Sequence, residues 1–349
     1  MSRSTADIYR RFAETDAAGT LYAPVALALG ASDEALRAVE AVPARRRRPG
    51  VVLAALHDLA LAGRAPALAA AYAAGDGDAA AAAAVDTLRR RGDDVAAVAG
   101  RRRLRSGETG RCAVLYPLIA EAARRAGADA IGLVDVGCSA GFNLTVDRVH
   151  LTYDGGPTLG DPASPLRMAA AIVQHRPVPA RAVPEVVARI GIDREPVDVT
   201  DSDEARWLRA CRPPDAPDAA ELDAQIALAA SVASVLLAGD VLEVLPDALA
   251  RVPADALPVV TTTWTLSDLA PEQRLRFLQR LDEVAAGRTV AWVSAEGVGV
   301  APAIPTQGDR RASGHSILGV ALLDHTTVRT QAVGRCWSRG RLLAWTTDA

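Results

Sequence analysis

Leu133-Val134-Asp135-Val136-Gly137-Cys138-Ser139-Ala140-Gly141-Phe142-Asn143-Leu144 is the stretch whose residue types and spacing could do chemistry. An apolar run ends on an acid, gives way to small residues and continues as an amphipathic pattern. It therefore predicts a strand, a tight turn and a helix. Two chemistries use that arrangement. In one, glycines let the backbone turn sharply against a nucleotide-like ligand while the acid at the strand end accepts hydrogen bonds. In the other, Gly137-Cys138-Ser139-Ala140-Gly141 is a Gly-x-Ser-x-Gly nucleophile elbow, with Ser139 attacking, Asp240 or Glu296 as the acid and His315 as the base. A plain packing turn of small residues is the third reading.

The surrounding elements separate these readings. A hydrolase elbow follows a central strand, so strands and an oxyanion-forming turn should precede it. Residues 1–128 read instead as helices, near 5–18, 32–41, 50–62, 78–91 and 110–126, with breaks at Pro43, Pro49, Gly63, Gly75 and Gly92. From Ile131, short apolar runs at 131–136, 235–238, 258–261 and 289–293 alternate with helical patterns at 201–211, 217–230, 242–251 and 271–286. That alternation predicts a mostly parallel sheet with crossover helices. Runs at 316–323, 328–337 and 341–345 predict an antiparallel hairpin closing the sheet edge, and the proline- and glycine-rich stretch 155–180 predicts a long ordered loop or insertion near the site. With 131–136 as strand one, the glycine turn lies where nucleotide-type ligands bind. The expected class is α/β: an N-terminal α-helical cap over 1–128 and a Rossmann-like sheet domain over 129–349, with an insertion at about 155–230.

Composition bounds the function. The 349 residues are 50% hydrophobic and 23% charged, which supplies a core and excludes a disordered chain. A formal net charge of −3 offers no global field for nucleic acid or an anionic membrane. Arginines cluster at 45–48 and 101–103, but the chain has no lysine, so such clusters read as solvated surface. Four cysteines without paired spacing and an N-terminus without an apolar signal core predict a reduced, cytoplasmic protein. The alanine tract 65–85 is interrupted at 75–78, so no membrane span is expected. The five histidines do not fall at ligand spacing, so no metal is expected either. The chain has one asparagine, Asn143, and it stands beside the glycine turn.

Through Asp135-Val136-Gly137-Cys138-Ser139-Ala140-Gly141 the sequence resembles the class I S-adenosylmethionine-dependent methyltransferases, whose first motif is acidic-x-Gly-x-Gly-x-Gly; Ser139 replaces the middle glycine. By order of elements the resemblance covers roughly residues 130–349, with only this first motif specific. More closely, the whole chain is similar to an uncharacterised family of GC-rich bacteria known only as a domain of unknown function. The carrying segments are Ala55-Leu56-His57-Asp58-Leu59, Gly107-Glu108-Thr109-Gly110-Arg111-Cys112, Gly160-Asp161-Pro162-Ala163-Ser164-Pro165-Leu166, Ala205-Arg206-Trp207-Leu208-Arg209-Ala210-Cys211 and Trp292-Val293-Ser294-Ala295-Glu296-Gly297. Gly107 departs from the asparagine usual in that family.

The methyltransferase resemblance implies S-adenosyl-L-methionine as cofactor. Asp135, Gly137, Ser139 and Gly141 would hold its methionine portion, with Asp135 receiving the ammonium directly or through water. Asp154, as the acid after strand two, would take the ribose hydroxyls, and Asp240 with Val241 the adenine side; Thr263 marks the end of strand four. Arg111 could grip the cofactor carboxylate, and Asn143 either caps the turn or bonds the ligand. Candidate catalytic residues are His57, Glu108 and Glu296, and candidate substrate contacts are Asp161, Ser164 and Trp264. Glu296 is expected on an exposed loop past strand five. A hydrogen-bonded core position is the competing reading for His57, and core packing for Trp264. Thr261-Thr262-Thr263-Trp264 lacks the Asn/Asp-Pro-Pro-aromatic signature of base methylation, so the expected acceptor is a small molecule rather than nucleic acid. The rivals are a serine hydrolase using Ser139 and a non-catalytic fold that binds a metabolite or a protein partner.

Overall fold

A computed structural model describes residues 4–105, 111–173 and 176–347. The chain divides into two compact units, Met1–Gly107 with Val199–Asp223, and Glu108–Asp198 with Ala224–Ala349.

The first unit is helical. It comprises α1 (Thr5–Glu14), α2 (Tyr22–Ala31), α3 (Asp33–Glu40), α4 (Pro49–Leu61), α5 (Pro66–Ala74) and α6 (Gly77–Arg101) and, after α7 (Cys112–Ala126) of the second unit, α8 (Ser202–Ala210). Local chemistry sets these starts. Ser4, Ser32, Asp76 and Asp201 accept first-turn N–H groups with their side chains, and Pro49 and Pro66 occupy first-turn positions where no N–H is needed. The helix α4 is buried on nearly every face, packed against α1, α2, α5, α6 and α8. Trp207 of α8 donates its indole N–H to the Arg103 carbonyl at 2.8 Å, tying the later segment into this unit. The helices α2 and α5 escape the periodicity reading because both are almost uniformly apolar. Among the described residues no single helix is long and apolar enough to cross a membrane, and the apolar pair α4 and α5 is bent by 99°.

The second unit is built on one sheet. Its strands are β1 (Ala130–Val136), β2 (His150–Asp154), β3 (Thr158–Gly160), β4 (Arg167–Ile172), β5 (Glu185–Asp193), β6 (Val235–Ala238), β7 (Leu257–Thr263), β8 (Val290–Gly297), β9 (Ser316–Leu323), β10 (Val328–Trp337) and β11 (Leu342–Trp345). The division between units falls within α9 (Ala219–Ala230), and α10 (Val241–Ala250) and α11 (Pro271–Ala285) complete the helices. The strand order is β3-β2-β4-β11-β10-β9-β8-β7-β1-β5-β6. Six of the ten pairings are parallel. Within it β6, β5, β1, β7 and β8 run parallel, and numbered among themselves in chain order they stand 3-2-1-4-5, reversing at β1. Ile131 and Leu133 pack on the α7 side, whereas Val134 and Val136 pack on the α10 and α11 side.

The class is thus α/β, a mostly parallel mixed sheet with an N-terminal helical region. Several boundaries differ from the sequence expectation. The helix α7, buried almost all round, belongs to the sheet unit, so the division precedes residue 128, and residues 199–223 belong to the helical unit. The stretch 155–180 holds β3 and β4 rather than a long loop. The C-terminal hairpin is antiparallel but does not close the edge, because β11 pairs with β4 and the sheet continues through β2 to β3. After Gly141 the chain forms a 3₁₀ helix, Phe142–Arg148, in place of an α-helix. A further unexpected strand is β5. Arg189 interrupts its apolar pattern, yet it is buried at 7% exposure by a bidentate pair with Asp147 at 2.6 and 2.7 Å.

Candidate functional site

Polar groups converge where the strand order reverses, at the carboxyl ends of β5, β1 and β7. The β1–β7 register sets Asp135 beside Thr261, and the Thr261 hydroxyl donates to Asp135 Oδ1 at 2.6 Å. Gly137 (φ 73°), Ser139 (φ 48°) and Gly141 (φ 72°) all take left-handed backbone, coiling the chain so that Asn143 returns over the strand. Asn143 Nδ2 reaches Asp135 Oδ1 and Oδ2 at 3.2 and 3.1 Å and Thr263 Oγ1 at 3.4 Å. Arg111 Nη1 donates to the Thr263 hydroxyl and carbonyl oxygens at 3.0 and 3.2 Å, and its guanidinium lies 5.4 Å from the centroid of the Trp264 ring. Burial pushes the Asp135 carboxyl up to about 6, against the opposing pull of Thr261, the Arg111 charge and Asn143. Trp264 also has left-handed backbone (φ 54°), which is uncommon for a bulky residue, and its indole N–H donates to Ser316 Oγ at 2.8 Å.

Asp193 is the residue sequence reasoning missed. It ends β5 beside the turn, where its Oδ2 accepts the Ser139 N–H at 3.0 Å and its Oδ1 the Glu195 N–H at 2.9 Å. The signal was present in Ile190-Gly191-Ile192-Asp193, an apolar run ending on an acid, but Arg189 hid the strand. Asp154 corrects accordingly. It ends β2 and six strands separate β2 from β1, so it does not stand at the end of the strand beside β1. Asp240 caps α10 by accepting the Leu242 N–H at 3.0 Å and pairs with Arg194 at 3.2 Å; Val241 is the helix's first residue. The Gly239 N–H donates to the Asp193 carbonyl at 2.9 Å, so the ends of β5 and β6 are joined.

Glu296 is a second correction. It lies inside β8 at 1% exposure, not on an exposed loop. Alternation along β8 puts it with Trp292 on the α10 and α11 side, opposite to Asp135. Its Oε1 accepts the Thr265 and Leu266 N–H groups at 3.0 and 3.1 Å, and so holds the turn that follows β7. Burial pushes its carboxyl up to about 7, although those two N–H groups and Arg111 favour the charge.

The remaining candidates lie elsewhere. His57 sits in the helical unit, where Nδ1 is 3.0 Å from the Arg212 carbonyl and 3.3 Å from the Tyr22 hydroxyl, and burial lowers its pKa. Asp161 and Ser164 close a turn, accepting the N–H groups of Ala163 and Leu166 at 2.9 and 3.2 Å. They border a surface cleft of about 510 Å³ against Val186–Arg189, the amino-terminal half of β5. Glu108 lies outside the described residues. Ser139 Oγ makes no hydrogen bond among the described residues, and His315 Nε2 is engaged with Asp309 at 2.9 Å.

No curated protein and no solved structure matches the chain. One family model, described as an uncharacterised protein conserved in bacteria (DUF2332), matches residues 6–345. That span takes in the helical unit and the sheet unit together. The chain therefore belongs to the DUF2332 family.

Proposed function

We propose that the sheet unit is a class I methyltransferase-like domain that binds S-adenosyl-L-methionine at the carboxyl ends of β1, β5, β6 and β7 and methylates a small-molecule acceptor. The observation that carries the reading is the order 3-2-1-4-5 combined with an acid at or just past the carboxyl end of each of its first three strands, Asp135, Asp193 and Asp240. In doubly wound sheets, ligands bind outside the carboxyl ends where the order reverses. The residues present fit such a group. A Cβ on Gly137 would lie 2.6 Å from the Thr265 side chain, so the turn tolerates only glycine there and packs directly against the turn that follows β7. Asp193 uses one bond from each oxygen for backbone N–H groups and keeps lone pairs for ribose hydroxyls, the task the sequence reading gave to Asp154.

When bound, the sulfonium supplies an electrophilic methyl group. The chain's own residues bind and orient. Arg111, fixed by Thr263, offers charge for the ligand carboxylate, and Trp264 presents a ring held by Ser316. Glu296, on the opposite side of the sheet, maintains the Thr265–Leu266 turn in this scheme and is not the proton acceptor. Calorimetry with S-adenosylhomocysteine on ligand-free protein tests the reading. Binding that weakens at least tenfold in Asp193→Ala is expected; no heat with parent protein refutes it.

Serine hydrolysis through Ser139 is supported by one observation, the left-handed φ of 48° at that serine, since a nucleophile elbow is strained. Fluorophosphonate labelling that disappears in Ser139→Ala would displace the methyltransferase reading.

A further inference from the structure

We propose that the protonated amine of the ligand is received by the side-chain carbonyl of Asn143, and that Asp135 is a positioning residue that acts through Asn143 without touching the ligand. This rests on the cofactor reading above, whose methionine portion brings the amine.

Asp135 is 1% exposed and both its oxygens are engaged, Oδ1 by Thr261 and Asn143, Oδ2 by Asn143 again. A carboxylate only accepts hydrogen bonds, so the Asn143 amide must turn its NH₂ toward Asp135. The remaining reach of that NH₂ goes to Thr263 Oγ1. Orientation of the amide is thereby forced, and Oδ1 faces away from the carboxylate. Among the described residues nothing donates to Asn143 Oδ1, and the atom is not sealed from solvent. Asn143 as a whole is only 8% exposed, so this is one pre-aimed acceptor at the surface of an otherwise packed group.

An acceptor held in this way selects for N–H donors and against carboxylates. The negative charge behind the NH₂ polarises the amide and strengthens Oδ1 as an acceptor. Arg111, bonded to Thr263 on the far side of the same network, supplies the complementary preference. Together they would read the two ends of an amino acid group, amine on Asn143 and carboxylate on Arg111. An aspartate at position 143 would set two carboxylates against each other, and an alanine would leave Asp135 without two of its hydrogen bonds.

Two measurements test this. The first compares binding of S-adenosylhomocysteine with the analogue in which hydrogen replaces the α-amine. The parent should favour the amine by about 10- to 100-fold, the range for a hydrogen bond to a charged group. In Asn143→Ala the preference should fall below about threefold, while the amine-free analogue binds as it does to the parent. A preference that survives in Asn143→Ala but vanishes in Asp135→Asn overturns the inference and makes Asp135 the direct contact. The second needs no variant. Because the chain has one asparagine, labelling with ¹⁵N-asparagine gives a single side-chain amide pair. That pair should follow the titration of Asp135 and move again on adding the amine-bearing ligand only; equal movement with both ligands overturns the proposal. If the parent binds neither ligand, the cofactor reading fails and this inference fails with it.

Discussion

Glu296 should make the sheet unit less stable as pH rises. Its carboxyl has an ordinary value of 4.5 in the unfolded chain and is held up to about 7 by burial in the folded one. Below 4.5 neither state is ionised, so the folded state carries no penalty there. Between 4.5 and about 7 the unfolded chain gives up the proton while the folded chain keeps it, and stability drains away as pH climbs. The difference amounts to about 3 kcal/mol once pH is well above 7, because the side chain is 1% exposed and solvent does not screen it. Glu296→Gln removes the charge and keeps an oxygen for the Thr265 and Leu266 N–H groups. At pH 4.5 the variant should lie within about 1 kcal/mol of the parent, since the parent's protonated Oε2, like the NH₂ that replaces it, has no hydrogen-bond partner among the described residues. At about pH 8 it should equal or exceed the parent. Urea denaturation followed by tryptophan fluorescence serves as the assay, since Trp264, Trp292, Trp337 and Trp345 all lie in the sheet unit. Asp135, pushed up to about 6, gives a change of the same sign in both proteins and cancels in the difference. A variant-minus-parent difference that is flat or falls from pH 4.5 to about 8 would refute the reasoning.

Three further substitutions probe the packing that positions the site. Gly137→Ala combines left-handed backbone with a clash against Thr265 and should cost about 2–4 kcal/mol, whereas Gly141→Ala, equally left-handed but 3.6 Å from its nearest neighbours, should cost about 1 kcal/mol; equal losses in thermal denaturation would contradict this. Arg189→Met removes the bidentate partner of the Asp147 carboxylate, leaving it the exposed Arg148 at 3.3 Å, and should cost about 3 kcal/mol, most of it regained when Asp147→Leu is added. Failure of the double variant to recover would show that the pair is not what admits arginine to β5. Glu121 is buried but bonded to Arg124, Arg125 and Arg181, and although burial opposes it these bonds hold its carboxyl down to about 2. Its stabilisation is present above 4.5 and lost as pH falls through about 2, so Glu121→Gln should cost about 2 kcal/mol at neutral pH and nearly nothing at pH 2. A cost independent of pH would reject the ion-pair account.

What the sequence reveals of this fold depends on whether burial is locally signalled. Strands β1, β7 and β8 are short, mostly apolar runs, legible because parallel strands in the middle of an α/β sheet are apolar on both faces, and the edge strand β6 is legible as the run Val235-Leu236-Leu237-Ala238. Strand β5 is likewise flanked on both sides, by β1 and β6, yet its arginine is admitted to the interior by Asp147, 42 residues earlier in the chain. No window around Arg189 contains that partner. The cost of missing one strand propagates to the site, because the second acid of the series then falls on Asp154, the next acidic residue after a strand-like run, and not on Asp193. Glu296 shows the same limit from the other direction. A glutamate after an apolar strand reads as the start of a loop, and only the turn that folds back to present the Thr265 and Leu266 N–H groups allows the strand to continue through it. The glycine turn is legible because its constraint is local: φ above zero at Gly137 and Gly141 demands an absent side chain. Asn143 falls between the two cases. Its type and place were visible, but which end of its amide faces a ligand follows only from Asp135 lying beneath it, and that pairing exists because Gly141 reverses the chain. Residues whose role is set by an adjacent turn are thus readable as candidates, while those whose role is set by a partner far along the chain become visible only once the sheet has assembled.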